Sequence, residues 1–397
     1  MSKSLLTVVL VLFLATLTTS ARAQRPADDW TALFERREGW LGADGIYSVD
    51  LNRDVKEASV HSDASPRTLF IFSDTIGGTT RSEGREYDRI AMTNHSFAIL
   101  NSNEPAPEKT TFVWHKPGDA RKPGERPDNI VEGRYWLQDG VRYGDRLWLT
   151  ALLVGKGWKP DRVDALSFPL DPETLVPDFS RPRLDVNAPL SLRTDDAQIV
   201  MGAAICDDAR DGCLYVFGYV DRFREFSRKD VVVARVPQDK LEAYDEWRFF
   251  NGHDWVADMN ALFAREAALA RGVSTEFSVS RIPGGQAAGK WLLVYTPGTM
   301  SPNCAFRVGD APYGPFGRER VFWRSNVPEE LEHVQCYNAK AHPIFCDERG
   351  VLTSYNVNRL GDVAKKPAEY RPRFVWLDWE TIENAVVKRP NEASTSP

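Results

Sequence analysis

The sequence predicts an all-β protein, a five-bladed β-propeller carrying a few short helical insertions. Short alternating runs rich in Val, Ile, Leu, Phe and Tyr recur along the chain, and several are separated by tight Gly-rich or charged turns. These runs fall into five groups that begin near positions 44, 139, 202, 276 and 338. Sheet-forming units repeated at that spacing suit a propeller, each unit being one blade. A sandwich of fifteen or more strands would be unusually large, and parallel α/β units would need more helices.

The elements follow in order. Residues 1–23 read as a cleavable leader: Lys3, an apolar run over 5–17, then the small-x-small site Ala21-Arg22-Ala23. The run is too short for a comfortable membrane span, and no cysteine follows the cleavage site to take a lipid. The mature chain is therefore expected to start near Gln24 and to be secreted or periplasmic. Residues 24–387 form a single propeller domain. Its predicted strands are 45–51, 68–74 and 95–100; then 135–143, 146–154 and 163–169; then 200–205, 214–220 and 231–236; then 276–282, 291–296 and 304–308; and finally 339–345, 351–356 and 373–377. A fourth strand per group is assumed. Residues 259–271 are Ala-rich and helical in pattern, and 30–37 form a second short helix. The Pro-rich, charged stretches 101–127 and 170–193 are expected to be surface insertions shaping a cleft. Residues 388–397 read as a disordered tail.

Composition narrows the function. Net charge is −6 with both signs scattered and no basic block, which argues against a nucleic-acid partner. No second stretch looks membrane-embedded. The chain is 42% hydrophobic with 12 Trp, enough for a large core and for aromatic platforms that stack on sugars. Five cysteines in an exported chain can pair: Cys206 with Cys213 across the turn 207–212, and Cys304 with Cys336 between neighbouring sheets, leaving Cys346 free. Buried free thiols are the alternative. No C-x-x-C, nucleophile elbow, phosphate loop or dinucleotide fingerprint is present, so zinc, redox, triad and nucleotide chemistries drop out.

The residues suited to chemistry are those at the starts of the innermost strands, where a propeller converges on its axis. They are Asp44, Asp139, the neutral stretch 201–203, Glu276, and Asn338-Ala339-Lys340. Cleaving a glycosidic bond needs one carboxylic acid to protonate the leaving oxygen and one carboxylate to activate water or attack carbon. A third acidic group can tune the acid. Asp44 and Asp74 would meet on one rim if their strands are antiparallel neighbours. Asp44 and Asp139 both precede glycine, the pattern of an ordinary turn. Glu276 stands before a strong strand with no turn to explain it, and Phe277 and Ser274 are expected to desolvate it and raise its pKa. Alternation puts Asn338, Lys340 and His342 on one face, where they need carboxylates, substrate hydroxyls or an ion as partners. A satisfied core histidine is the plainer reading of His342. Arg307, Asn356 and Asn358 are placed on the same rim, and Asn94 and His95 beside Asp74. Asp74, Asn94, Arg307, Asn338, Lys340 and His342 are thus the expected substrate contacts. No cofactor is required, and a bound structural ion is compatible with the polar face.

The motifs Gly39-Trp40-Leu41-Gly42-Ala43-Asp44-Gly45-Ile46-Tyr47-Ser48, Phe72-Ser73-Asp74-Thr75 and Tyr337-Asn338-Ala339-Lys340-Ala341-His342-Pro343 resemble a bacterial family long carried as an uncharacterised domain and now including endo-D-arabinanases. That family is similar in fold to five-bladed propeller glycosidases such as arabinanases and fructosidases. The resemblance runs from about Trp40 to Trp376. It implies Asp44 as the base, Glu276 as the general acid, Asp139 as the residue tuning the acid, and inversion at the anomeric carbon. For Asp44 it rests on matched motif text; for Asp139 and Glu276 it rests on blade position. The expectation is an exported glycoside hydrolase acting on a furanose-rich or related polysaccharide. The alternatives are a non-catalytic carbohydrate-binding propeller, and a propeller phosphorylase whose phosphate would sit among Arg307, Lys340 and His342.

Overall fold

The computed structural model describes residues 25–60, 65–118, 127–208, 210–223, 229–325, 334–359 and 366–387. The leader and the tail expected from the sequence lie outside them. The described chain is mostly strand, with two α-helices, Asp28–Leu33 and Trp379–Val387, and short 3-10 turns. Five antiparallel sheets follow one another along the chain. Sheet 1 has the order Tyr47–Asp50, Thr68–Phe72, Ser96–Leu100, Thr110–Val113. Sheet 2 runs Tyr135–Tyr143, Arg146–Val154, Pro160–Pro169, Arg183–Asp185, and sheet 3 runs Ala197–Asp208, Cys213–Arg222, Lys229–Pro237, Arg248–Phe250, each with small added edges. Sheet 4 is Phe277–Arg281, Trp291–Tyr295, Asn303–Gly309, Arg320–Arg324. Sheet 5 is Val334–Asp347, Gly350–Arg359, Pro372–Leu377, and its outermost strand is Arg25–Pro26 from the other end of the described chain. A sixth, three-stranded sheet (Glu38–Ala43, Thr75–Arg81, Glu86–Thr93) extends from sheet 1.

The first strand of each sheet packs against the first strand of the next, and that of sheet 5 against that of sheet 1. The cores lie between consecutive sheets. Tyr47, Leu69, Leu137 and Leu149 fill the space between sheets 1 and 2, Ile199, Phe217, Phe277 and Trp291 that between 3 and 4, and Leu292, Phe306, Ala339 and Tyr355 that between 4 and 5. Between sheets 5 and 1 the N-terminal helix inserts Trp30, Leu33 and Phe34 against Phe70, Phe72, Phe345 and Phe374. The Phe34 ring stacks on Phe374 at 5.5 Å. The inner and middle strands of the five sheets thus bury both faces, which is why they read as near-continuous apolar runs.

Several expectations are corrected. The stretches 101–127 and 170–193 are not plain insertions: they carry the outer strands Thr110–Val113 and Arg183–Asp185. Residues 259–271 are not a helix. Two 3-10 turns, Met259–Phe263 and Arg265–Ala267, are broken by extended Ala264 and Ala268, and Ala270–Val273 pairs with sheet 3. Burying Leu262, Ala267 and Leu269 against sheet 3 outweighs the helical propensity of the alanines. No disulfide forms: all five thiols are free. Cys213 lies opposite Asp208, and Cys206 opposite Tyr215, so the hairpin register holds those two thiols apart. Cys304 and Cys336 share one core cluster as buried apolar side chains.

Candidate active site

The starts of the inner strands also differ from the sequence reading, and the difference builds the site. Asp44 stands in the short break between Glu38–Ala43 and Tyr47–Asp50, and Glu276 one residue before Phe277–Arg281. Asp139 and Asn338, however, lie inside strands that begin at Tyr135 and Val334. Both sit at register shifts, between Leu137 and Gly140 and between Tyr337 and Lys340, and sheet 3 has its own between Met201 and Ala204. Such irregularities turn a side chain out of the ladder, here toward the ring's axis. Asp139-Gly140 is therefore a bulge and not a blade-opening turn. Asn338 adopts the left-handed φ of 59° and Gly202 a φ of 96°. At Gly45 (φ 72°) an added Cβ would stand 2.5 Å from Ser73 Oγ, so only glycine lets Asp44 pair with the next strand.

That pairing is as expected. The Asp44 N–H donates to the Asp74 carbonyl at 3.3 Å, and the Ser73 N–H to the Asp44 carbonyl at 2.8 Å, which puts the two aspartates on one rim. Tyr337 donates its hydroxyl to Asp44 Oδ2 at 2.8 Å. Trp136 Nε1 donates to Asp74 Oδ1 at 3.0 Å, and the Tyr370 hydroxyl to the Asp74 carbonyl at 2.9 Å. Across the ring, Lys340 is buried and its Nζ lies 2.6 Å from Glu276 Oε2, an ion pair that the Tyr47 hydroxyl joins at 3.3 Å. The same ammonium sits 4.3 Å from the centre of the Tyr47 ring. Asp139 accepts from the Gly140 N–H at 2.9 Å and, through Oδ2, from the Ile205 N–H of sheet 3 at 2.8 Å.

Electrostatics tie these groups together. Burial holds the Asp44 carboxyl well above the usual range, and the Asp74 and Glu276 carboxylates push it further, against the Tyr337 and Tyr370 hydroxyls. Asp139 is pushed up to about 7 by burial, opposed by its two backbone donors and by Lys340. Burial pulls Lys340 down, while Glu276, Asp44 and Asp139 pull it back up. Three carboxylates from three sheets therefore act on one ammonium. Ser274 gives its hydroxyl to the Glu276 backbone carbonyl, and the Glu276 carboxylate meets Lys340. Among the described residues no three His, Cys, Asp or Glu side chains are grouped as a metal cage requires.

A channel of about 740 Å³ continues along the inner strands on the far side of Tyr47, Asp139 and Lys340, away from Asp44 and Glu276. Asp50, Arg53, Asp207 and Arg281 line its distant part, with Arg53 and Asp207 ion-paired.

Three expected substrate contacts are elsewhere or otherwise engaged. His342 is fully buried, bridging Ser48 Oγ at 2.9 Å and Ser354 Oγ at 2.7 Å, and burial lowers its pKa to about 3; it is a neutral clip between sheets 5 and 1. Arg307 turns to Tyr295, Glu319 and the carbonyls of Gly317 and Arg271. Asn94 is spent on Asn129 and on the Gly133 carbonyl. His95, fully buried, accepts from the Val131 N–H and so donates from Nδ1 to the Tyr135 carbonyl at 3.1 Å. Asn356 donates to the Ala43 carbonyl, fastening sheet 5 beneath Asp44. The aromatic partners Tyr47, Trp136, Tyr337 and Tyr370 were not singled out from the sequence. The first three flank named site residues, whereas Tyr370 follows a 3-10 turn and has no local motif.

Residues 27–379 match a family model described as "Domain of unknown function (DUF5005)". No curated protein matches the chain. Among solved structures, the chain is similar to a presumed hydrolase from Bacteroides ovatus ATCC 8483, at 16% identity and TM-score 0.67, covering 95% of this chain and 96% of that one. A looser likeness, TM-score 0.42 at 13% identity over 84% of this chain and 88% of that one, is to a thermostable family-43 glycoside hydrolase. Another is to a family-43 enzyme from Xanthomonas citri, TM-score 0.43 at 12% identity, covering 89% and 91%.

Proposed function

We propose, from the premise that the chain belongs to the DUF5005 family, that it is a glycoside hydrolase whose reacting groups are Asp44 and Glu276. One observation carries this reading: the buried Lys340 ammonium is ion-paired with Glu276 of sheet 4, and it lies in the field of the Asp44 and Asp139 carboxyls from sheets 1 and 2. Hydrolysing an acetal requires a proton donor and an anionic base in one site, and environments that push two carboxyls apart in proton affinity supply both. Here Asp44 holds its proton well above the usual range, while Glu276 is held as an ion pair. We therefore assign Asp44 as the acid that protonates the leaving oxygen and Glu276 as the base that takes a proton from water. This order is the reverse of the one the family resemblance implies. Asp139 and Lys340 set the charge balance between the two.

The closed ring of five sheets supports a five-bladed propeller with this site at its axis. The motif resemblance to a family that includes endo-D-arabinanases supports a furanose-rich polysaccharide as substrate and inversion as outcome. The leader 1–23 supports export. The phosphorylase reading loses its phosphate cluster, because Arg307 is engaged elsewhere and His342 is a buried neutral clip.

Aryl glycosides of graded leaving-group acidity separate the two roles. With Asp44 as acid, Asp44→Asn loses about 10²–10⁴-fold on a poor leaving group and far less on a good one, whereas Glu276→Gln loses equally on both. The opposite pattern restores the order given by the resemblance. Proton NMR of the first-formed anomer reads inversion directly.

A further inference from the structure

Trp158 is the most exposed aromatic side chain among the described residues, and neither the fold nor the site explains it. It is 58% exposed, on the tight turn between Arg146–Val154 and Pro160–Pro169 of sheet 2. Gly157 and Trp158 have φ of 69° and 62°, both in the left-handed region that glycine and asparagine adopt most readily. A bulky aromatic residue in that conformation is strained, and strain at an exposed position points to function.

The indole has two neighbours: the Arg134 guanidinium lies 3.6 Å from its ring centre, and the Trp136 ring is stacked nearly parallel to it, at 20° and 5.9 Å between ring centres. Beyond these contacts more than half of the residue's surface stays accessible to solvent. Trp136 in turn gives its N–H to Asp74, the rim partner of Asp44. A continuous aromatic surface therefore leads from the acid cluster outward to Trp158.

We propose that Trp158, backed by Arg134 and Trp136, is a stacking subsite for a neutral sugar ring of the same polysaccharide chain that reaches Asp44 and Glu276. The inference rests on the carbohydrate reading of the site. A sugar presents a face of C–H groups that packs on an indole, and the polarised ring favours that contact. Its continuity with the acid cluster through Trp136 selects a saccharide chain over an unrelated apolar partner. A platform set outward from the reacting pair favours polymers over short substrates.

The test is native gel electrophoresis of the mature chain in gels containing soluble arabinan, galactan, fructan or mannan. Asp44→Asn/Glu276→Gln serves as background so that the polymer is not consumed. The proposal expects retardation by at least one polymer, loss of that affinity by tenfold or more in Trp158→Ala, and retention of most of it in Trp158→Phe, with melting temperatures alike. Equal retardation of Trp158→Ala, or no retardation by any of the four polymers, overturns it. If Trp158 carries binding but the wild-type chain releases no reducing ends from the bound polymer, the hydrolase reading fails and the subsite stands. If the wild type hydrolyses the polymer and Trp158→Ala binds and hydrolyses it equally, the subsite fails and the hydrolase reading stands.

Discussion

Burial gives individual side chains here roles that residue type alone does not reveal. Asp139 and His342 both sit in polar company, yet one stays poised to titrate and the other is locked neutral. Asp139 has its folded-state pKa raised to about 7 from 3.8. The folded protein therefore binds that proton more tightly than the unfolded chain does. The resulting stability is fully present below about pH 4 and is lost as pH rises through about 7, a span of at most about 4 kcal/mol. Asp139→Asn is expected to remove that slope: urea titrations at pH 5 and pH 8 should differ less for the variant than for the wild type. His342, hydrogen-bonded to two serines, should behave as a structural residue. His342→Ala leaves both hydroxyls without their partner and is expected to cost about 2–4 kcal/mol of stability. Its folded fraction should keep the wild-type KM, whereas a substrate contact would raise it. The sequence placed Lys340 and His342 on one strand face correctly. What separates them is three-dimensional: Lys340 reaches Glu276, 64 residues away, while His342 reaches Ser48 across the closure of the ring.

At the scale of elements, strands were legible and their irregularities were not. Residues 135–143 and 146–154 are strands with the bounds expected from alternation, and the other inner and middle strands differ by a few residues at their ends. Outer strands such as Thr110–Val113 and Arg183–Asp185 escaped because Pro and charge dominate the stretches around them. The register shifts at Asp139 and Asn338 left no signal, since a bulge depends on the partner strand as much as on its own residues. Asn338, buried and left-handed in backbone, lies in the register shift two residues before Lys340. Asn338→Val is expected to be about 1–2 kcal/mol less stable than Asn338→Gly, because glycine adopts that φ freely whereas a Cβ, and a β-branched one above all, is penalised there. If the bulge positions Lys340, the valine variant also loses activity while the glycine variant keeps most of it. The apolar helix pattern at 259–271 misled for a related reason. Its alanines satisfy a helix locally, but Leu262 and Leu269 are claimed by the core under sheet 3.

At the scale of the whole molecule, residues far apart in sequence become one site only because the ring closes. Arg25–Pro26 joins sheet 5 beside Pro372–Leu377, and the helix after it fills the seam between the last sheet and the first. That seam holds Tyr337 against Asp44 and Asn356 against the Ala43 carbonyl. The acid cluster is therefore a property of the assembled ring: sheet 1 supplies Asp44, sheet 2 Asp139, sheet 4 Glu276 and sheet 5 Lys340. The three carboxylates were read from the sequence as residues at the starts of inner strands. That placement fits Asp44 and Glu276 but not Asp139, which lies inside its strand at a register shift; the tyrosines that hold them carried no such signal. The most direct measurement is release of reducing ends from arabinan, galactan, fructan and mannan by the mature wild-type chain, Asp44→Asn and Glu276→Gln, with folding checked by circular dichroism. The account predicts hydrolysis of at least one polymer by the wild type and loss of at least about 10²-fold in each folded variant. Undiminished hydrolysis in either variant, or none by the wild type on all four polymers, would contradict it.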